Sequence, residues 1–439
     1  MLIATCAVGT RHWGSQRKPT MASTLSSVSS DTLTARRLAA SFFIPLVHEA
    51  QLPVQGDARV CAIVPTRMPT ALTVRLVREL TAFNPNLEVI VVDDCSSQSD
   101  EQIVKIFREI ASYSRVRVTR TPVNKLKAGA LNHALSYFTE RDEVYDVILT
   151  LDDDVVVAEG TVRALVEELM QHPRLGAMCS QCRVLNKNKN ILTRLQGLEY
   201  VNFNAIRLAD EGFMRGPLVM HGMLTAFRAS ALYAVGGFEE GHLIEDYEIT
   251  ARLKSAGWHV RSSVQAPAWT VVPETLSRLW RQRTRWSYGG ITVVARAVRP
   301  SAVIQDILGH FVFLSTLLMV VVLLFSKGSG LVPPLIAEII IAISLLQLLI
   351  WYGFQLWLMR HYSEKDTRDW LIRLSLVPEF MYSYLQTAAL LGSYVFHIFA
   401  SLKRRNRGER SRLATMGTRL FRALGYSERS WGTRQKRLI

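Results

Sequence analysis

Acidic residues follow two of the predicted strands at the point where each strand ends. Asp93 and Asp94 follow the apolar run 87–92, and Asp152, Asp153 and Asp154 follow the run 147–151. Neighbouring carboxylates repel one another unless a cation or hydrogen-bond donors lie among them. Helix capping accounts for one Asp in a turn, not for three in succession. The pattern predicts a hard divalent cation, Mg²⁺ or Mn²⁺, that also takes phosphate oxygens from a nucleotide-diphosphate substrate.

These carboxylates lie in a region where strand and helix patterns alternate. The predicted strands are short apolar or β-branched runs at 60–64, 87–92, 115–119 and 147–151. Amphipathic helical stretches separate them, at 71–82, 101–112 and 128–138. Alternation of this kind predicts an α/β fold with an open, mostly parallel sheet and right-handed crossovers. Ligands of such sheets bind outside the carboxyl ends of the strands, where the acidic residues lie.

The remaining chain is organised around apolar stretches. Apolar residues make up 49% of the chain and mean hydropathy is +0.13, which excludes wholesale disorder and indicates that part of it lies in lipid. The Ser- and Thr-rich start is predicted to be a weakly ordered leader, with a transit peptide as the alternative. The predicted divisions are the leader 1–57, a catalytic domain 58–286, an interfacial amphipathic segment 287–303, transmembrane helices at about 304–326, 334–359 and 378–402, and a basic tail 403–439.

Charge and cysteine content restrict the function classes further. The net charge is +15, but residues 401–439 carry twelve Lys or Arg against two Glu and so supply +10 of it. The remaining net charge of +5 is spread over the rest of the chain and forms no basic stripe. We therefore expect no nucleic-acid partner. The five cysteines form no paired framework, which indicates a reducing compartment. Cys179 and Cys182 lack a second pair for a zinc site and are expected to be reduced and partly buried.

The motifs, in their order along the chain, resemble family 2 glycosyltransferases of the GT-A fold. Within that family they are similar to the membrane-embedded processive synthases of cellulose, chitin, hyaluronan and poly-N-acetylglucosamine. The motifs are I-V-P-T at 63–66, V-V-D-D-C-S-S at 91–97, K-A-G-A-L-N at 127–132, L-D-D-D at 151–154, V-G-G-F at 235–238, E-D at 245–246 and Q-R-T-R-W at 282–286. Cys95 stands where the family commonly has Gly, and Asp153 where it has a small residue.

The resemblance implies a role for each matching residue. Asp246 would be the general base, and Glu245 belongs to the same motif. A nucleotide-sugar site would include Thr66, Asp94, Lys127 and Asp152. Asp152 and Asp154, the two ends of D-x-D, would hold the Mg²⁺ or Mn²⁺, with Asp154 the more direct ligand. The acceptor and diphosphate end would include Gln282, Arg283, Arg285 and Trp286. His221 either touches sugar or is structural.

The chemistry of these residue types agrees with that assignment. Attack of a sugar hydroxyl on an anomeric carbon needs a base, which a carboxylate can provide. The departing diphosphate needs its charge neutralised, which a divalent ion and an arginine fork can do together. With a single base and no carboxylate nucleophile, inversion is expected. Trp286 offers a flat face for a pyranose ring. One or two of Arg281, Arg283 and Arg285 could instead meet anionic lipid headgroups.

The sequence thus predicts a membrane-bound inverting hexosyl- or N-acetylhexosaminyl-transferase. It would move a sugar from a UDP-sugar to the end of a growing β-linked polysaccharide. The alternative is a non-processive transferase that adds one sugar to a lipid-linked or glycan acceptor. The predicted location is the plasma membrane, in several passes, with the catalytic domain in the cytoplasm and partner subunits possible.

Three spans after a cytosolic domain create a conflict in topology. They would place the basic tail outside, against the tendency of Lys and Arg to stay inside. The loop 360–373, with four Lys or Arg, fits the cytosol. The open alternatives are a third span that is re-entrant or interfacial, and a tail that is an exception to the rule.

Overall fold

The computed structural model describes residues 58–210, 214–326, 333–405 and 412–427. The predicted leader 1–57 and much of the predicted tail lie outside these residues. Eight strands are present in the described part. They are β1 (Val60–Thr66), β2 (Glu88–Asp93), β3 (Val116–Arg120), β4 (Val147–Leu151), β5 (Val156–Val157), β6 (Leu175–Val184), β7 (Leu224–Arg228) and β8 (His259–Thr270).

The strands form one mixed sheet in the order β3-β2-β1-β4-β7-β6-β8-β5. Strands β1 to β4 pair in parallel, as their helical crossovers require. Strand β7 then pairs antiparallel with both β4 and β6, while β6 and β8 are parallel and β5 is antiparallel to β8. The α/β prediction is confirmed, and the antiparallel strands extend the predicted parallel half.

Helices on both faces cover this sheet. In the domain they are α1 (Ala71–Phe83), α2 (Glu101–Ala111), α3 (Leu126–Thr139), α4 (Thr161–Met170), α5 (Ile191–Ala209), α6 (Ala229–Ala234), α7 (Glu245–Ser255) and α8 (Leu276–Arg296). The first three match the predicted amphipathic stretches to within about two residues. Alternate residues of β1 face opposite layers, since Ala62 and Val64 belong to one apolar cluster and Cys61 and Ile63 to the other.

The carboxyl ends of the parallel strands meet at one edge of the sheet. Thr66, the last residue of β1, pairs in register with Asp93, the last residue of β2. Leu151 ends β4 beside them, so the acidic turns that follow β2 and β4 open at the same edge. The order of strands and helices therefore brings the predicted acidic residues to one edge of the sheet, independently of their side-chain contacts.

Five α-helices follow the domain within the described residues. They are α9 (Ile304–Ser326), α10 (Pro334–His361), α11 (Thr367–Ser375), α12 (Val377–Arg405) and α13 (Arg412–Ala423). Three of them, α9, α10 and α12, are long and apolar enough to cross a membrane, which confirms the predicted stretches as candidate spans. Their mean hydropathies are 2.2, 2.2 and 1.3. The predicted interfacial segment 287–303 begins inside α8, which continues unbroken past Trp286.

Candidate active site

Lys127 connects the turn after strand β4 to helix α7 through its ammonium group. It lies in the first turn of α3, where its Nζ is 2.8 Å from Asp152 Oδ1 and 2.9 Å from Glu245 Oε1. The same ammonium donates to the Gly222 carbonyl at 2.8 Å. Burial alone would lower the pKa of Lys127, but the carboxylates of Asp152 and Glu245 more than offset it, and the net shift is upward. Lys127 is therefore a fixed positive charge at the centre of an acidic cleft.

Asp246 lies in the first turn of α7 and is held by two backbone amides. Its Oδ2 accepts a hydrogen bond from the Gly222 amide at 2.9 Å, and its Oδ1 accepts one from the Tyr247 amide at 2.8 Å. A Cβ at position 222 would come within 2.6 Å of Lys127 Nζ and 3.4 Å of Asp246 Oδ2. Glycine at 222 thus permits the close approach of the loop to both charged groups.

The pKa of Asp246 is raised to about 6. Removal from water is the largest cause and the neighbouring Glu245 carboxylate the next, while Lys127, the Tyr247 amide and Arg285 act in the opposite direction. A carboxylate with a pKa of about 6 is ionised at neutral pH and is a stronger base than an ordinary Asp. The surroundings of Asp246 therefore suit it to accepting a proton from a hydroxyl.

His221, next to Gly222, is not a competing base. Its Nε2 lies 2.5 Å from the Ser180 carbonyl oxygen. Burial lowers the pKa of His221 to about 3, with a further contribution from the charge of Arg207. The ring is therefore neutral at physiological pH and is held by the backbone, which favours its structural reading.

Thr66 and Asp94 form the neighbouring part of the edge. Asp94 Oδ1 accepts hydrogen bonds from Thr121 Oγ1 at 2.9 Å and from the Lys125 amide at 2.7 Å. Lys125 immediately precedes α3, so Asp94 fixes the start of the helix that carries Lys127. Cys95, at the family's Gly position, has a φ of +60°. The turn thus has a left-handed backbone at Cys95, a conformation that Gly adopts without steric cost.

The three consecutive aspartates have different surroundings. Asp153, expected to be a variable middle position, is buried and accepts a hydrogen bond from Thr66 Oγ1 at 2.6 Å. Asp154 is also buried, and its Oδ1 lies 3.3 Å from Thr270 Oγ1. Asp152 remains partly exposed beside Lys127. The turn is therefore tied to β1 and β8, with Asp152 directed to the cleft.

The donor set fits a Mg²⁺ or Mn²⁺ that is bound largely through substrate. Asp152 and Asp154 offer hard carboxylate oxygens, as such ions prefer. Among the described residues, no group of three or more acidic, His or Cys side chains is close enough to hold a metal alone. Mg²⁺ is commonly held by one or two carboxylates together with substrate phosphates. Asp152 and Asp154 would supply the carboxylates of that arrangement.

The motif residues of helix α8 point in two directions. Arg285 donates to the Leu243 carbonyl at 3.1 Å, immediately before α7, and its charge lowers the pKa of Asp246. Arg283 points instead into the packing between helices, where it is 4% exposed and pairs with Glu199 of α5. Its guanidinium also lies 4.2 Å from the centre of the Trp286 ring. Arg285 thus belongs to the cleft around Asp246, whereas Arg283 holds the helix.

The sequence did not reveal the partners of Arg283. Glu199 Oε2 also accepts a hydrogen bond from the Tyr382 hydroxyl of α12 at 2.7 Å, and Gln386 donates to Glu199 Oε1 at 2.9 Å. Gln282 Oε1 accepts from Arg283 at 2.9 Å. A glutamate in an otherwise amphipathic helix carries no local signal of this role, because its partners are 84 to 187 residues away.

The predicted residues are therefore connected at one edge of the sheet. Lys127, Glu245 and Asp246 line a common cavity with Gly222. Asp152 joins it through Lys127, and Arg285 approaches it from α8. Thr66 and Asp94 connect to it through the aspartate turn and the start of α3. Arg283 is directed instead to Glu199, and Gln282 and Trp286 both contact Arg283, so these three residues of the motif are not brought into that cavity.

Comparison with known proteins identifies the domain. Residues 147–360 match the family model described as Glycosyl transferase family group 2. The chain contains a family 2 glycosyltransferase domain. This domain is homologous to a poly-beta-1,6-N-acetyl-D-glucosamine synthase of Staphylococcus epidermidis, 29% identical over 217 residues, which are 49% of this chain and 50% of the relative. The synthase of the same name from Staphylococcus aureus strain COL is 29% identical over 209 residues, 48% of each chain.

The chain spans about half the length of these curated relatives. Among solved structures, the family 2 domain is similar to the mannosyltransferase PcManGT from Pyrobaculum calidifontis, in complex with GDP-Man and Mn²⁺. The TM-score is 0.50 at 19% identity, covering 79% of this chain and 98% of that one. This likeness shows the GT-A fold and confirms the predicted fold class, with candidate membrane helices following the domain.

Proposed function

We propose that this protein is a membrane-bound, inverting, processive glycosyltransferase. It transfers a sugar from a UDP-sugar to the end of a growing β-linked polysaccharide. The names of its relatives favour UDP-N-acetylglucosamine as the donor and a poly-N-acetylglucosamine product. The proposal rests on one observation above the others, which is Asp246, with a pKa of about 6, facing Lys127 and Arg285 at the mouth of the sheet.

Asp246 acts as the general base. Each of its two oxygens accepts one hydrogen bond from a backbone amide. These bonds orient the carboxylate and leave lone pairs for a hydroxyl proton. As the acceptor hydroxyl attacks the anomeric carbon, Asp246 takes its proton and the bond to the diphosphate breaks on the opposite face. A single displacement of this kind inverts the anomeric configuration.

The departing diphosphate is received by positive charge at the same edge. Lys127 already has its ammonium between Asp152 and Glu245, and the charge of Arg285 also acts on Asp246. Asp152 and Asp154 would hold a Mg²⁺ or Mn²⁺ against the diphosphate oxygens. When bound, such an ion neutralises charge that develops on the leaving group.

The acceptor lies on the side of α8. Gln282 and Trp286 are placed by the contacts of Arg283, and Trp286 offers an apolar face to a sugar ring. The apolar helices that follow α8 keep this acceptor side near the bilayer. Attachment to the membrane favours extension of a chain that leaves through the bilayer over a single transfer to a soluble glycan.

Product length tests this function. Membranes containing the full chain are incubated with labelled UDP-N-acetylglucosamine and Mg²⁺ or Mn²⁺, and the product is sized before and after digestion with a glycosidase specific for β-linkages. We expect high polymer. A product with one added sugar would overturn processivity and support the alternative acceptor reaction. Hydrolysis without transfer, with every UDP-sugar supplied, would overturn the proposal as a whole.

A metal-ligand variant tests the role of the aspartate turn. Asp154→Asn keeps the size of the side chain and its contact with Thr270 but removes a charged oxygen donor. We expect the Mn²⁺-dependent affinity for UDP to fall by about tenfold or more. Calorimetry with UDP, with and without Mn²⁺, measures it, and Asp142→Asn on an exposed turn is the control. An unchanged metal dependence would contradict the ligand assignment.

A further inference from the structure

Helix α12 has the length of a membrane span, but its contacts hold it at one side of the membrane. We propose that α9 and α10 alone cross the bilayer, and that α12 and α13 lie along the cytoplasmic leaflet on anionic lipid. The tail that follows is then on the same side as the catalytic domain. This inference concerns the membrane contact of the chain and does not depend on the transferase activity.

The first observation concerns the end of the described chain. Trp280 of α8 donates from Nε1 to the Leu424 carbonyl at 2.7 Å, and its ring meets that of Tyr426 edge to face at 6.0 Å. The hydroxyl of Thr284 lies 3.5 Å from the Gly425 carbonyl. Since α8 carries the active-site motif, residues 424–426 are on the catalytic side. An even number of crossings must therefore separate α8 from Tyr426.

Two well-separated residues of α12 lie at similar depths along α9 and α10. Near the start of α12, Arg373 donates to Glu379 at 2.9 Å. The same guanidinium donates to Gln355 of α10 at 2.8 Å. Fifteen residues later, Tyr394 hydrogen-bonds to His310. Gln355 is six residues from the end of α10, and His310 is six residues from the start of α9. Each is therefore about 9 Å into its span from the same surface, at 1.5 Å per residue.

These two contacts fix the direction of α12. Fifteen residues of helix measure about 22 Å. A helix crossing the membrane would carry Tyr394 roughly that much deeper than Glu379, yet both lie at the same level. Between them, Gln386 and Tyr382 bond to Glu199 in the catalytic domain. Helix α12 thus runs across the cytoplasmic ends of α9 and α10 rather than beside them.

The loop before α12 agrees with this direction. Asp369 of α11 is fully buried between Lys187 and Arg194 of the catalytic domain, at 2.8 and 2.9 Å. The end of α10 is therefore on the catalytic side, as two crossings require. The four Lys or Arg of residues 360–373 and the +10 of residues 401–439 then share one side, which the positive-inside tendency makes cytoplasmic.

The free faces of α12 and α13 fit a lipid surface. One stripe of α12 is buried against protein, whereas its opposite side exposes large apolar side chains, namely Met381, Tyr384, Val395, Ile398 and Leu402. Helix α13 likewise exposes Leu413, Met416 and Leu420, with Arg419 and Arg422 beside them. Apolar and basic groups side by side match the acyl boundary of an anionic leaflet. Helix α12 also contacts the candidate span α9 through Tyr394 and His310, so lipid is the occupant of these faces.

Cysteine labelling tests the sidedness. Single cysteines are introduced as Ser427→Cys, as Ser329→Cys between α9 and α10, and as Gln98→Cys on the catalytic domain. Intact spheroplasts are treated with a membrane-impermeant maleimide. We expect only Ser329→Cys to gain label before permeabilisation, with Ser427→Cys behaving like Gln98→Cys. Labelling of Ser427→Cys in intact spheroplasts would overturn the two-span arrangement.

Depth measurements test the orientation of α12 directly. Spin labels are attached to Met381→Cys, Ala388→Cys, Val395→Cys and Leu402→Cys of the full chain, in vesicles of neutral and anionic phospholipid. Labels at Ile336→Cys, Ile343→Cys and Ile350→Cys on α10 provide the matched control. We expect one shallow depth throughout α12 and a depth gradient along α10. A profile in α12 that reaches the bilayer centre, about 15 Å deep, would overturn the proposal.

Discussion

At the scale of single residues, the carboxylate of Asp246 is the group on which the proposed transfer depends most directly. Asp246→Asn keeps its two backbone hydrogen bonds in part but cannot accept a proton. General base catalysis is worth about 10²- to 10⁴-fold, so we expect a loss of transfer in that range. Affinity for UDP, measured by calorimetry, should change little. Asp142→Asn is the control, and joint loss of binding and transfer would count against the assignment as base.

The environment of Asp246 also predicts a pH dependence. Because only the ionised carboxylate accepts a proton, kcat/KM should fall about tenfold per pH unit below a pH of about 6, the pKa of Asp246. After burial, the Glu245 carboxylate is the largest cause that raises this pKa. Glu245→Gln should therefore move the acidic limb to lower pH. A rate profile of both proteins checks this, and a limb that stays in place or moves upward would refute the electrostatic explanation.

Residue types and their order were enough to predict that several of these residues lie close together at one edge of the sheet. Consecutive aspartates after a strand and a Glu-Asp pair at the start of a helix are local signals that can be read from the sequence alone. The hydrogen bond from Thr66 to Asp153 was not predictable, because it spans 87 residues and a middle aspartate looks replaceable. The motif alone places Arg283 at the acceptor and diphosphate end, whereas its contact with Glu199 depends on how two helices pack.

At the scale of elements, helix α8 is positioned by a buried ion pair. Glu199→Leu leaves the Arg283 guanidinium buried without its carboxylate, which typically costs about 3–5 kcal/mol. We expect a large fall in the Tm of the detergent-solubilised protein and loss of transfer. Adding Arg283→Met removes the stranded charge, so the double variant should recover most of the stability.

The double variant also separates two roles of Arg283. If Arg283 acts only by holding α8, affinity for UDP returns together with the Tm. Recovery of the Tm without recovery of UDP affinity would show that Arg283 contacts the donor, as its motif implies. Binding is followed by calorimetry and stability by thermal scanning of the same samples.

Element boundaries were predictable where periodicity was strong. Helices α1 to α3 follow an amphipathic pattern, and strands β1, β2 and β4 follow short apolar runs that are buried on both faces. The antiparallel insertion of β7 between β4 and β6 has no such signal. It depends on long-range pairing, which local propensity does not encode. That insertion matters to function, because β7 follows the His221 and Gly222 segment and so positions Gly222 against Asp246.

At the scale of the whole molecule, the catalytic domain and the membrane helices are joined by charged contacts that composition could not reveal. Hydropathy predicts three spans because it counts length and apolar content. It does not register that Glu379, Gln386 and Tyr394 of α12 each meet a polar partner at the membrane surface. The conflict over the basic tail is the sequence signal that agrees with the proposed two-span arrangement.

The Asp369 contact provides a prediction for that junction. Asp369 is fully buried between Lys187 and Arg194, whereas Asp366, which pairs with the same arginine, has a side chain 40% exposed. Asp369→Asn removes the charge that compensates two cations, and breaking a buried pair costs about 3–5 kcal/mol. Asp366→Asn, the matched control, should cost about 1 kcal/mol or less because solvent screens its charge. Both changes keep a side chain that can cap α11.

Thermal scanning should therefore show a markedly lower Tm for Asp369→Asn alone, accompanied by faster tryptic cleavage within residues 360–373. Equal shifts for the two variants would show that the buried pair does not hold the domain to the membrane helices.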